Sequence, residues 1–375
     1  MDNKIILFTN SSNNIVQLRK NLISYLYKEN IHLTVCVPEC YNKDIFILKE
    51  KYKFEIIKIK NHRSSIGLFS NLIFCLKVLK ILKKNKYDLI ITFTIKPNIL
   101  VSLTNYFLNN KIINVVTGLG SSFLKDGFLK KFILFMYKYS VKKSNIVIFQ
   151  NKNDNKIFLE KKIVSKKNSL VIFGSGIDTT LYNFIPKVYD KNEIKYLYAG
   201  RLIKDKGVLE LLKSFQIITN HHKNIKLILA GNIDDQNPSK LDSSYLKKFQ
   251  SKNIIFVGHT DKLKNLIADC HFSILLSHRE GISNFLLESA SIGRPLISTN
   301  VPGCKEIVSN ENGFLCNKND IDNIIVNINK SIDIDNTTYQ NLSKMSRKKV
   351  LQEFDNKIVI NKFIQVIKDV LNENV

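Results

Sequence analysis

The chain has 375 residues, 44% of them hydrophobic and 24% charged, with a formal net charge of +25 at pH 7. The length predicts two domains with cores of their own, and the composition excludes disorder over most of the chain. An excess of positive charge attracts polyanions, whether nucleic acid, anionic lipid or phosphorylated substrates, although the abundance of lysine, isoleucine and asparagine also reads as the codon bias of an AT-rich genome.

Arginine is confined to Arg19, Arg63, Arg201, Arg279, Arg294 and Arg347, so composition does not supply it freely and each one attracts interest. Cys36, Cys40, Cys75, Cys270, Cys304 and Cys316 show no C-x-x-C spacing and no neighbouring histidines. Free thiols are expected, without a disulfide framework or a zinc site. Met1 to Thr9 lacks the basic and long apolar regions of a signal peptide, and no run of 18 apolar residues predicts a spanning helix.

Taken in order, Ile5 to Phe8 reads as a buried parallel strand, followed by a polar loop from Thr9 to Asn14. Residues 15–29 have helical periodicity, and Leu33 to Val37 is a strand ending at Pro38. Strand Phe54 to Ile59, helix 66–84 and strand Leu89 to Phe93 repeat the pattern. A helix follows Pro97 to about Leu108. Ile112 to Val116, Asn145 to Phe149 and Leu170 to Phe173 are further strands. After the hydrophilic stretch Ile185 to Glu193 the alternation restarts, with strands at Tyr196–Ala199, Lys226–Ala230, Ile254–Val257, Ser273–Leu276 and Pro295–Thr299. A last helix is expected at about 356–372. Strands alternating with helices predict an α/β protein of two doubly wound domains facing a central cleft. The expected units are 1–182, 190–352 and a terminal segment, 353–375, packing back on the first domain. In such sheets ligands bind beyond the carboxyl ends of the strands.

Three motifs carry candidate chemistry. In the first, Gly200 and Arg201 follow a strand, and Lys206 and Gly207 precede a helix. A planar guanidinium, an ammonium and a helix N-terminus together suit a diphosphate, although a solvated basic loop is the plainer reading. The second runs from His278 through Glu280, Gly281, Ile282, Ser283 and Asn284 to Glu288. Residues Gly281 to Asn284 open a helix whose first N–H groups have no partner. Glu280 and Glu288 offer carboxylates to sugar diols, but a helix dipole alone also explains an acidic N-terminus. In the third, Val257-Gly258-His259, the glycine would let a flat base approach; His259 reads equally as a polar loop residue.

The combined order is A-G-R-L-x-x-x-K-G, V-G-H, R-E-G-x-S-N-x-L-L-E-S-A, G-R-P-L-I-S-T-N-V-P-G-C-K-E and N-G-F-L. It resembles the retaining GT-B glycosyltransferases of family four. The likeness is to the capsule and O-antigen branch, which extends undecaprenyl-diphosphate-linked sugars and includes N-acetylgalactosaminyltransferases. Thr94 to Asn98, Val116 to Gly120, Phe149 to Asn151 and Gly174 to Asp178 support it.

The resemblance implies that Arg201 and Lys206 clamp the donor diphosphate, that Glu280 holds the transferred sugar, and that Glu288 holds the ribose. It implies that Gly200, Gly258, His259, Gly281, Ile282, Ser283 and Asn284 line the donor site. Asn13, Lys96, Thr117 and Gly118 would face the acceptor. It further implies retention, a nucleotide-sugar donor (UDP foremost), a lipid-linked saccharide acceptor and no metal or other cofactor. Asp320/Asp322 and Asp333/Asp335 have D-x-D spacing in a polar region read as surface, not as metal sites. One departure is the loop Asn10 to Asn14, which has no glycine where relatives do; asparagine tolerates the left-handed backbone such a turn needs.

Phe123 to Lys143 and Ile66 to Lys84 interleave lysines with large apolar residues. Each suits peripheral attachment to the cytoplasmic face of a membrane, and each also suits an amphipathic core helix. A rival function is a non-hydrolysing UDP-sugar epimerase of similar architecture, which is not expected to carry these motifs in this order. Nucleic-acid binding is not expected, because the basic residues are dispersed and no recognition motif appears.

Overall fold

The structure is a computed structural model and describes residues 3–38, 43–59, 67–120, 123–124, 126–235 and 237–372. Met1, Cys40, Arg63 and Ile66, named above, lie outside these. Cys36, Cys75, Cys270, Cys304 and Cys316 are free thiols.

Two compact units are present, one of Met1–Ser175 with Val359–Val375 and the other of Gly176–Ile358. The first contains β1 (Lys4–Phe8), β2 (His32–Val37), β3 (Glu55–Lys58), β4 (Leu89–Phe93), β5 (Ile112–Val116), β6 (Ile146–Phe149) and β7 (Ser169–Val171). They form one sheet in the order β3-β2-β1-β4-β5-β6-β7, with every pair parallel. The second unit contains β8 (Ile194–Ala199), β9 (Ile225–Ala230), β10 (Ile254–Gly258), β11 (Phe272–Leu275), β12 (Leu296–Thr299) and β13 (Gly313–Cys316). Its order, also all parallel, is β10-β9-β8-β11-β12-β13. Both units are thus doubly wound α/β sheets. In each, the first strand sits where the order reverses: β1 between β2 and β4, β8 between β9 and β11. Loops leaving neighbouring strands there part to opposite faces and open a crevice at the carboxyl edge.

Apolar residues alternate between the two faces of the first sheet. One face buries Ile5, Leu7, Leu89, Ile91 and Phe93 with Leu22 and Leu26 of the helix Lys20–Lys28. Val359, Phe363, Ile364, Ile367 and Val370, from the helix Asn356–Leu371, complete that core. The other face buries Ile6, Phe8, Ile90 and Val147 beneath the helices Leu68–Lys84, Ile95–Asn105 and Phe128–Ser140. Among the described residues no helix is long and apolar enough to cross a membrane.

Several expectations need correction. The polar loop after β1 is shorter than predicted, because Ser12–Asn14 is already helical and runs through a π turn, Ile15–Arg19, into the next helix. None of its asparagines uses a left-handed backbone. The helix expected after Pro97 starts at Ile95, since proline is tolerated in a first turn where its missing N–H has no partner in any case. The segment Gly176 to Tyr182 joins the second unit, not the first, through Ile177 pairing beside Asp355 and Thr179 Oγ1 donating to Asp355 Oδ2 at 2.5 Å. The D-x-D aspartates do lie at the surface, with Asp322, Asp333 and Asp335 exposed, but the region holds two helices that the sequence reading did not place, Ile321–Asp333 and Asn336–Lys349, whose other faces are buried. Asp320 and Asp335 are their N-caps, accepting from Asn323 N–H (2.9 Å) and Thr338 N–H (2.7 Å).

Candidate functional site

The site is built on the second sheet, at the carboxyl ends of β8 and β11. From β8 the chain enters Gly200–Gly207 and then the helix Val208–His221; from β11 it enters Leu276–Ser283 and then the helix Asn284–Ile292. Backbone bonds tie the two loops together, with His278 N–H donating to the Asp205 carbonyl at 2.9 Å. Gly207 has φ +68, and a Cβ there would lie 2.0 Å from the Leu276 carbonyl oxygen, so only glycine lets the loops touch.

Lys206 and Glu280 meet in a salt bridge between Nζ and Oε1. Ser277 Oγ donates to the same oxygen at 2.6 Å. The side chains are 21% and 12% exposed, so the pair is shielded from water more than a surface pair and its Coulomb attraction is correspondingly stronger. The Glu280 backbone is fixed by its N–H donating to the Pro302 carbonyl (2.9 Å). Gly303 packs beneath it: φ is +82, and a Cβ would fall 2.5 Å from Glu280 Cβ. Ser283 caps the following helix, its Oγ accepting from Leu286 N–H at 3.3 Å. Gly281 and Ile282 form the turn before that cap, and Asn284 is the first helical residue. The N–H groups of that first turn face the loop with no intrahelical carbonyl to bond, a natural anion seat.

Arg201 does not join this cluster. It pairs instead with Asp234, Nη1 to Oδ2 at 2.7 Å, and its carbonyl accepts from the buried Tyr198 hydroxyl at 2.7 Å. Gly200 links it to β8. Gly258 ends β10 with open space beside it, where an added Cβ would meet only Asn232 Oδ1 at 3.9 Å. His259 is exposed; its N–H donates to Asn232 Oδ1 and its ring faces Asp261 at 3.5 Å. Glu288 stands one turn into its helix, partly buried, and burial pushes its carboxyl up to about 7 against the opposing hydrogen bond from the Tyr182 hydroxyl.

Sequence reasoning missed Ser277, Asp234, Tyr182 and the partly buried pairing of His278 with Glu210 at 3.2 Å. Only Ser277, three residues before Glu280, had a positional signal. The other scarce arginines divide. Arg294 is fully buried and donates to the carbonyls of Ile267 and Ile185. Arg347 donates to those of Tyr182, Ser291 and Thr179. Both are struts.

The acceptor-side candidates belong to the first unit and lie beyond the carboxyl ends of its strands. Asn13 follows β1 and is exposed, Lys96 follows β4, and Thr117 and Gly118 follow β5.

Comparison with known proteins is consistent with both sheets. Residues 4–151 match the glycosyl transferase 4-like family and residues 183–349 match glycosyl transferases group 1. The chain is 26% identical over 390 residues to the capsular polysaccharide biosynthesis glycosyltransferase CapM of Staphylococcus aureus, covering 100% of this chain and 99% of that one. It is 25% identical over 276 residues to a Campylobacter jejuni protein, N,N'-diacetylbacillosaminyl-diphospho-undecaprenol alpha-1,3-N-acetylgalactosaminyltransferase, covering 68% and 70%. In fold it is similar to Anabaena HepE crystallised with UDP and glucose, with a TM-score of 0.76 at 17% identity over 98% and 99% of the two chains. The chain belongs to the GT-B glycosyltransferases, with a glycosyl transferase 4-like first unit and a group 1 second unit.

Proposed function

We propose that this glycosyltransferase moves a hexose or N-acetylhexosamine from a nucleotide donor, UDP foremost, to a polyprenyl-diphosphate-linked saccharide with retention of configuration. The observation that carries this reading is the Lys206–Glu280–Ser277 cluster at the reversal point of the second sheet. A carboxylate fixed in this position accepts hydroxyl hydrogen bonds from the donor sugar. Lys206, Arg201 and the N-terminus of the helix Asn284–Ile292 stabilise the negative charge that gathers on the leaving diphosphate. Arg201 exchanges Asp234 for phosphate oxygens, to which its fork is equally suited. The open face of Gly258 accommodates the base, and Glu288 accepts from the ribose. With the diphosphate charge met by side chains, the reaction runs without a divalent metal, by positioning and electrostatics.

The lipid-linked acceptor brings the protein to the cytoplasmic face of a membrane. In support, the helices Leu68–Lys84 and Phe128–Ser140 both pack on Ile95–Asn105 and leave large apolar side chains in water. Phe69 is 76% exposed, Phe107 83% and Phe128 84%, among many lysines. Scattered exposed residues need no explanation, but a group of this size with basic neighbours suits an anionic lipid surface.

The test is a screen of UDP-, GDP- and dTDP-sugars with purified protein and a short polyprenyl-diphosphate saccharide, read by mass, with and without EDTA. A product heavier by one sugar from a UDP donor, insensitive to EDTA, is expected. Epimerised donor without acceptor would replace this reading with the epimerase.

A further inference from the structure

The loops that carry Lys206 and Glu280 are joined at more than one place. The Lys206–Glu280 salt bridge is one join. His278 makes two others. Its N–H donates to the Asp205 carbonyl at 2.9 Å, and its ring Nε2 lies 3.2 Å from Glu210 Oε1. Asp205 precedes Lys206, and Glu210 is the third residue of the helix Val208–His221. The His278 and Glu210 side chains are 15% and 21% exposed, against 12% and 21% for Glu280 and Lys206, so the two side-chain contacts are shielded from water alike.

The chemistry of the second contact has a direction. Burial acts to raise the Glu210 carboxyl, yet the bond from His278 and one from its own backbone N–H outweigh it, and the group lies below the usual carboxylate range. An ionised carboxylate only accepts, so Nε2 carries a proton and donates it. A bond of this charge-assisted kind is roughly twice as strong as a neutral one.

The two side-chain contacts differ in what a donor does to them. In the reading above, Lys206 turns to the diphosphate and Glu280 to the transferred sugar, so their salt bridge is given up as the donor binds. Glu210 and His278 have no such duty, and their contact persists. A bond lost on binding cannot hold the bound geometry, whereas a bond kept can. The precision at stake is fine, since a displacement of about 1 Å is enough to cost a reaction roughly 100-fold.

We propose that Glu210 and His278 are positioning residues, whose contact holds the Lys206 and Glu280 loops in register once a donor has drawn those two side chains apart. The inference deepens the donor reading above and rests on it.

Calorimetry with UDP near neutral pH tests it on Glu210→Ala, His278→Ala and the double variant, alongside thermal melting of each protein alone. Each single variant is expected to weaken UDP about tenfold, the loss typical of a charge-assisted bond. The double variant is expected to lose no more than about twofold further, because either substitution already removes the shared contact. Glu210→Gln keeps an acceptor for Nε2 without the charge and is expected to weaken UDP about threefold, half the bond energy of the alanine loss; it carries the test if the alanine variants do not fold. A solely structural contact would lower the melting temperature and leave the UDP affinity of the folded protein unchanged. Wild-type UDP affinity in the folded variants therefore overturns the proposal, as do additive losses in the double variant. Lys206→Ala is the control for the donor reading. If wild type does not bind UDP, or Lys206→Ala binds it equally well, the donor reading falls and takes this role with it. UDP binding that depends on Lys206 but ignores Glu210 and His278 sinks the positioning role alone.

Discussion

Replacing Glu288 with glutamine removes a titrating group while keeping the shape of the side chain and an acceptor for the Tyr182 hydroxyl. Burial raises the Glu288 carboxyl from 4.5 to about 7 in the folded chain. At about 1.4 kcal/mol per tenfold change in proton affinity, that difference corresponds to about 3 kcal/mol. The sign follows from proton counting. Between pH 4.5 and 7 the folded chain keeps this proton and the unfolded chain has lost it, so stability falls as pH rises through that window. Below about 4.5 the penalty is absent, and above about 7 it is complete. Urea unfolding of wild type and Glu288→Gln at half-unit steps from pH 4.5 to 8 measures it. The stability difference, variant minus wild type, is expected to climb by about 3 kcal/mol in the variant's favour across the window. Parallel curves would refute the assigned burial. The same carboxyl should lose its proton when a ribose occupies it, so UDP binding near pH 6.5 is expected to release protons in wild type and none from this site in the variant. Calorimetry in buffers of different ionisation enthalpy reads that release.

Other expectations concern the donor site and the surface. Glu280→Ala should abolish most transfer while UDP binding stays measurable; full activity would remove Glu280 from the sugar site. Lys206→Ala and Arg201→Ala should each weaken UDP by roughly tenfold in calorimetry, as for loss of a charge-assisted contact, and unchanged affinity would count against the diphosphate clamp. Gly303→Ala places a Cβ 2.5 Å from Glu280 Cβ at φ +82, and should lower both stability and kcat, with a thermal midpoint equal to wild type as the contrary result. Phe69→Ser with Phe128→Ser should reduce flotation with anionic vesicles at low salt; flotation equal to wild type would place membrane contact elsewhere.

Much of the fold was legible because buried parallel strands are written as short apolar runs. Ile5 to Phe8 and Leu89 to Phe93 are such runs, and both lie in the core. The donor site was legible as far as its residues cluster in sequence: Glu280 to Glu288 occupy one loop and one helix. What pairs with them was not legible. Lys206 reaches Glu280, and Tyr182 reaches Glu288, across strand crossovers that no local pattern encodes. The edge strand β13 escaped because four residues beginning with Gly313 carry little periodicity. The two helices around Asp320 and Asp335 escaped because their polar faces dominate the composition, although Ile324, Ile328 and Tyr339 mark the buried side. Scarcity drew attention to every arginine, yet composition does not separate Arg294, which bonds backbone carbonyls, from Arg19, which stacks on the Phe93 ring.

The helix Asn356–Leu371 has a bearing on biosynthesis. Five of its side chains belong to a core whose other members lie before residue 175. On the ribosome, the unit translated first therefore finishes folding last, after the whole second unit has emerged. Until then one face of its sheet keeps an uncovered apolar groove, a period in which chaperone capture and aggregation compete with folding. A premature stop before Val359 would make that temporary condition permanent, so the loss of a short carboxyl-terminal segment should damage the opposite end of the chain.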